Sequence, residues 1–227
     1  MIWGILAGGR NMGTSRWEEE RVATMQELRE GVAKSLPEIA EISDDGLREK
    51  VVEAWALALS ETQFSRIEEM ECSGMIGSPQ IPGRTQADHL RGVGRLARAM
   101  ARELLELYDN ELNIDPDTAL AGGLLHDVGK PLFYDANNIR RWGENKAFTG
   151  KPPFRHTFYG AHIVLNVGLP EEIAHLVAAH DAHMEGQYVT HSVYSHLVAH
   201  ADAVYWGALY ALGLPKPSST AAEGRMG

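Results

Sequence analysis

His126 and Asp127 stand side by side at the end of an apolar stretch, Leu124-Leu125-His126-Asp127-Val128-Gly129-Lys130. Such a pair offers a metal ion one imidazole nitrogen and one or two carboxylate oxygens. Adjacent side chains on a helix diverge by about 100°. These two therefore converge only on an ion at the helix edge, where the carboxylate can also bridge two ions. Gly129 predicts the end of the helix, and Lys130 then sets a cation beside the metal. Lys130 is the candidate catalytic residue that is not a ligand: it can hold a substrate phosphate or carboxylate and neutralise charge developing in the transition state. The plainer reading of Lys130 is a helix-end cation that complements the macrodipole.

The composition agrees with a site built from nitrogen and oxygen. The 227 residues include 10 histidines and 1 cysteine. A single thiol, Cys72, excludes an internal disulfide framework and a cysteine-rich zinc or iron–sulfur site. Imidazole and carboxylate suit one or two divalent ions of Mn, Fe, Co, Ni or Zn. His196 and His200 have the i, i+4 spacing that binds zinc on one helix face, but that pattern brings no third ligand with it.

The elements that must position these groups read as helices. Leu90, Val93, Leu96, Ala97, Met100, Leu104 and Leu107 mark one apolar face at spacings of three and four. Asp115-Pro116 starts the next helix, with proline in its first turn, and that helix runs into His126. Further helices are predicted from His156 to Asn166, from Pro170 to His180, and from a Thr190 cap to about Gly213. Nearer the amino terminus, Ser15 and Glu18 read as a capping box opening a helix to Ser35. Asp44-Asp45 then caps a stretch from Leu47 to about Glu71. Residues 72–84 and 131–155 read as loop and irregular chain, and no strand pattern is evident. The prediction is an all-α protein: an extension over 1–80, a metal-binding domain over 81–213, and a disordered tail over 214–227.

Over residues 85–205 the sequence resembles the HD superfamily of metal-dependent hydrolases. Gln86-Ala87-Asp88-His89 is similar to the family's first histidine element, His126-Asp127 to its namesake pair, and His196 through Val204 to its closing element. Arg155-His156-Thr157-Phe158-Tyr159-Gly160-Ala161 and Val177-Ala178-Ala179-His180-Asp181 resemble the two further elements of the two-metal branch. Thr157 replaces a proline there, and Asp181 stands where a second histidine is usual. The resemblance implies an HD-domain helical bundle with additional amino-terminal helices. It implies one ion on His89, His126, Asp127 and Asp202, and a second on His156 and His180, with Asp127 bridging. His162, His175, His183, His191, His196 and His200 read as supporting, surface or core residues.

The activity implied is hydrolysis of a small anionic phosphoester, with Asp127 and Lys130 in the catalytic apparatus. Two subfamilies are set aside. The Gly-Tyr-Pro element of cyclic-dinucleotide phosphodiesterases does not follow His180, and the His-Asp-x-x-Glu-Asp form of the stringent-response hydrolases is replaced by His126-Asp127-Val128-Gly129-Lys130-Pro131. Two alternatives stay open: a diiron oxygenase or lyase, which the same six ligands would serve, and a non-catalytic ligand-binding domain.

Charge narrows the substrate. The formal net charge of −10 argues against a nucleic-acid surface, which needs a basic face. Yet Arg140, Arg141, Lys146, Lys151 and Arg155 oppose only Asp135 and Glu144 between Lys130 and His156. An anion-recruiting lid would look like this, with Arg140, Arg141 and Arg155 binding substrate and Phe133, Tyr134, Trp142, Phe148 and Phe154 lining it. No stretch suits a signal peptide or a membrane span, so a cytoplasmic protein is expected. The acidic amino-terminal third carries no readable motif; it can cover the site, add helices or form a homodimer interface.

Overall fold

Thr24 and Glu27 open the first described helix by capping each other: Glu27 N–H donates to Thr24 Oγ1 (3.3 Å) and Thr24 N–H to Glu27 Oε2 (2.9 Å). The computed structural model describes residues 23–75, 77–148, 150–181 and 191–217. The capping box expected at Ser15, the cap expected at Thr190, His183 and the Phe148 side chain lie outside the described residues. Helix α1 spans Met25–Ser35 and α2 spans Asp45–Ser60, with Asp44 accepting from Leu47 N–H at 2.6 Å. The predicted continuation of α2 to Glu71 is not formed.

Residues 71–85 correct the expectation of a loop. Strands β1 (Glu71–Ser73) and β2 (Gln80–Thr85) pair antiparallel, with Glu71 opposite Thr85 and an irregular step before Ser73 opposite Gln80. Two buried positions in β1 and one in β2 are too few for a readable alternation, and Gly77 and Gly83, at φ 75° and 72°, supply the bends. The end expected to be a tail also pairs here: Gln80 N–H donates to Lys216 O (2.9 Å) and Lys216 N–H to Gln80 O (2.8 Å). Residues from 218 on lie outside the description.

Helix α3 (Gln86–Leu107) starts with Asp88 accepting from Thr85 N–H, and α4 (Pro116–Leu125) with Asp115 accepting from Asp117 and Thr118. The 131–155 segment is more regular than predicted, forming α5 (Lys130–Tyr134) and α6 (Ala136–Glu144). Helix α7 (His156–Asn166) ends at Gly168, α8 spans Glu171–Ala179 after Pro170, and α9 spans Val193–Ala211 with Ser192 as its cap. The fold is all-α apart from the small hairpin. Leu28 of α1, Trp55 of α2, Leu90 of α3, Leu124 of α4, Leu176 of α8 and Val198 of α9 share one hydrophobic core. The amino-terminal helices therefore shield the same interior as the later ones. No helix among the described residues is long and apolar enough to cross a membrane.

Candidate metal centre

Two glycines set the distances in the centre. A Cβ on Gly123 would stand 2.5 Å from Gly94 Cα, so α4 crosses α3 with the two backbones in contact, as only glycine allows. That approach carries His126 to His89, with 3.1 Å between their Nε2 atoms. A Cβ on Gly129 would stand 2.0 Å from His156 O, so the turn after α4 meets the start of α7. Gly129 is not the helix end that the sequence suggested: the helix has already ended at Leu125, and the φ of Gly129 is −82°. Residues 126–129 form tight turns instead, with Lys130 N–H donating to Asp127 O at 2.8 Å.

The Asp127 carboxylate lies at the middle of the group. Its Oδ2 is 3.2 Å from both His89 Nε2 and His126 Nε2. Its Oδ1 is 3.2 Å from His156 Nε2 and 3.9 Å from His180 Nε2. Asp202 Oδ1 lies 3.5 Å from His89 Nε2 and is buried with no hydrogen-bond donor among the described residues. Two sets bring their potential ligand atoms within 4.8 Å of one another: His89, His126 and Asp202, and His126, Asp127 and His180.

Donors and acceptors show what this group lacks. His126 Nδ1 faces Gly123 O at 2.7 Å and His180 Nδ1 faces Val177 O at 2.8 Å. A carbonyl only accepts, so each Nδ1 carries a proton and Nε2 is the ring nitrogen turned inward. Burial works against charge on His126, but the Asp127 carboxylate beside it raises that ring above its ordinary value. Burial, with the neighbouring His126 and His156, pushes His180 well below the usual imidazole range, and burial also lowers His89. Burial alone would raise the Asp127 carboxyl, but the Lys130 ammonium and the His126 ring outweigh it and hold Asp127 well below the usual carboxylate range. Imidazole Nε2 atoms and carboxylate oxygens thus face one another in a buried space, an arrangement that suits a divalent cation.

The comparisons with known proteins agree. The HD domain model matches residues 87–207, just over half of the chain. The chain belongs to the HD-domain family. Ribonuclease Y of Acidothermus cellulolyticus is 27% identical over 125 residues, which cover 55% of this chain and 20% of that protein. The chain thus spans about a fifth of the length of that curated relative. No solved structure matches the chain. The family is of the metal-dependent phosphohydrolase type, and the histidine and aspartate groupings of this HD domain could hold such a metal.

A pocket of about 140 Å³ opens over the HD centre, with Lys130 and Arg155 in its lining. Arg155 Nη2 donates to Asp181 Oδ2 at 2.9 Å. That ion pair ties the residue before His156 to the residue after His180, and Asp181 lines the pocket as well. Arg140 and Arg141 are not brought to the pocket. Helix α6 buries Trp142, which stacks on Tyr159, and leaves both arginines on its exposed side, hydrogen-bonded to Asn137 and Asn138. The basic segment is therefore no continuous lid, and only Arg155 of these three faces the centre.

Four contributors were missed in the sequence. Gln86 Nε2 donates to Asp127 Oδ2 at 2.8 Å, and Trp206 forms pocket wall with its ring 5.2 Å from that of His89. Gln86 sits three residues before His89 and Trp206 four after Asp202, so helical spacing was a signal that could have found them. Gly74 and Met75 also line the pocket. They arrive there through the hairpin, which no alternating pattern announces.

Proposed function

We propose that this HD domain is a metal-dependent phosphohydrolase acting on a small anionic phosphoester. The observation that carries the reading is the division of the Asp127 carboxylate, with Oδ2 toward His89 and His126 and Oδ1 toward His156 and His180. His89, His126, Asp127 and Asp202 would hold one divalent ion, and His156, His180 and the other Asp127 oxygen a second. The chemistry such ions would supply there is a lowered pKa for bound water and polarisation of a phosphoryl oxygen.

The chain's own groups do the remainder. Gln86 and Lys130 both donate to Asp127 Oδ2, at 2.8 and 2.7 Å, and fix the orientation of the shared carboxylate. Arg155, held by Asp181, presents a cation at the pocket wall where an anionic substrate group would dock. Trp206 and Met75 supply apolar wall to the same pocket. A pocket of about 140 Å³ and a chain of net charge −10 favour a small molecule over the RNA that the relative's name suggests.

Elemental analysis of anaerobically purified protein, followed by a phosphoester panel, tests the reading. Up to two divalent ions per chain are expected, with phosphate release that ceases on chelation and returns on metal addition. Iron together with oxygen consumption and no phosphate release would replace hydrolysis by redox chemistry. A chain without metal or turnover would leave a binding domain.

A further inference from the structure

We propose a second, peripheral metal site on α9, away from the HD centre, where His196 and His200 chelate one Zn, Ni or Cu ion. The three rings form a row: His191 and His196 are 4.8 Å apart between centroids, and His196 and His200 are 6.0 Å apart with planes within 9° of parallel. All three residues are exposed. Neither His196 nor His200 makes a side-chain hydrogen bond among the described residues, so four ring nitrogens stand unengaged.

Helix geometry separates this site from the HD centre. Residues two apart point about 200° from each other, so His200 faces outward from the helix that turns Asp202 toward His89. Residues four apart share a face with Cβ atoms about 5–6 Å from each other. Zn–N bonds of about 2.0–2.1 Å in tetrahedral geometry need the two nitrogens roughly 3.3 Å apart. Rotation of exposed side chains on one helix face reaches that spacing without moving backbone. The surroundings do not compete: the adjoining groove of about 340 Å³ is otherwise lined by Met100, Leu104, Val193 and Leu197, with no charged side chain. Two imidazoles on one rigid helix bind as a chelate, because the first contact raises the effective concentration of the second. Borderline ions of the Zn, Ni and Cu group are the ones that imidazole favours.

The test is Cu²⁺ titration of the full chain already loaded at its HD centre, followed by equilibrium dialysis and electron paramagnetic resonance. The expected result is one additional Cu²⁺ per chain, with hyperfine structure from at least two nitrogens. His196→Ala and His200→Ala should each weaken that binding at least tenfold while the pre-loaded metal content stays unchanged. His162→Ala, which removes an exposed helical histidine with no histidine four residues away, should leave it unaltered. Unchanged affinity in either His196→Ala or His200→Ala, or a copper signal showing fewer than two nitrogens, would overturn the proposal. These positions are exposed, so matching thermal melts of the variants separate lost ligation from lost folding.

Discussion

Lys130 Nζ lies 2.7 Å from Asp127 Oδ2, one turn along the chain, and both side chains are almost wholly buried. The ammonium also donates to Ser73 O at 3.1 Å, so a single lysine joins the central carboxylate to the hairpin whose next two residues line the pocket. Burial would lower the Lys130 pKa, but the Asp127 charge overrides this and raises it above the usual lysine value. Lys130 thus stays charged across physiological pH.

Lys130→Met should consequently act in two measurable ways. In metal-free protein it leaves the Asp127 charge buried without its partner, costing about 3–5 kcal/mol. Added divalent metal should recover most of that loss in a thermal melt. Turnover of the metal-loaded variant should fall by about 10²–10³-fold, the scale for removing one preorganised electrostatic group. Wild-type turnover at normal metal content would rule out a catalytic role for this residue.

Asp127→Ala should strip the centre further than any single histidine change, because the Asp127 carboxylate turns one oxygen toward each half of the ligand set. Metal content per chain should drop to near zero, and His126→Ala should do the same for the ion beside His89. Plasma emission analysis after dialysis against trace metal decides the matter. Full retention of both ions in Asp127→Ala would exclude the bridging arrangement.

How much of this was legible follows from the range of each interaction. The α3 helix, the caps at Asp44 and Asp115, and the order of the histidine elements depend on residues a few positions apart, and spacing rules reach them. The partnership of Lys130 with Ser73 spans 57 positions and runs through a hairpin with too few buried residues to show a pattern. Arg140 and Arg141 misled for a related reason. Composition marks a basic segment, but only the burial of Trp142 decides which way α6 faces. The helix end at Gly129 was misplaced because a glycine needed for close backbone approach looks, in sequence, like one that stops a helix.

Trp55 carries a contact of this hidden kind. Its indole Nε1–H donates to Leu124 O at 2.8 Å, fully buried, one residue from the end of α4. A helix leaves its last carbonyls without intrahelical donors, and here an amino-terminal helix supplies one next to the His126 turn. Trp55→Phe keeps most of the apolar volume and removes the donor. A loss of about 1–3 kcal/mol is expected in urea unfolding, with metal stoichiometry unchanged. An unaltered midpoint would mean that water or another donor reaches that carbonyl.

Gly129→Ala tests the contact between the α4 turn and α7. The added Cβ would meet His156 O at 2.0 Å and Gly160 N at 2.6 Å, both backbone atoms that cannot swing aside. The start of α7 must move, carrying His156 from Asp127 Oδ1. The expected outcome is destabilisation of several kcal/mol, on the scale of a severe steric defect. Where the variant folds, it should lose preferentially the ion on the His156 and His180 side. Equal loss of both ions in a folded variant would show that the two halves do not respond separately.

Asp117 supplies the prediction on pH. Burial would raise its carboxyl, but donation from the Ser43 hydroxyl and amide and the Arg98 guanidinium outweighs this and lowers it below its ordinary value of 3.8. The donors reach it at 2.5, 2.7 and 2.8 Å, tying the approach to α2 and the middle of α3 to the first turn of α4. A carboxyl whose folded pKa is depressed adds stability that is fully present above its unfolded pKa. That stability is lost as the pH falls through the lower, folded value. Asp117→Asn should therefore destabilise the chain by about 1–2 kcal/mol at pH 7, a figure reduced by partial solvent screening. The difference from wild type should shrink as the pH is taken below about 4. Urea titrations of both proteins at pH 7, 5 and 3 measure it directly, and a difference that stays constant across that series would show that the ion pair with Arg98 contributes nothing to folding.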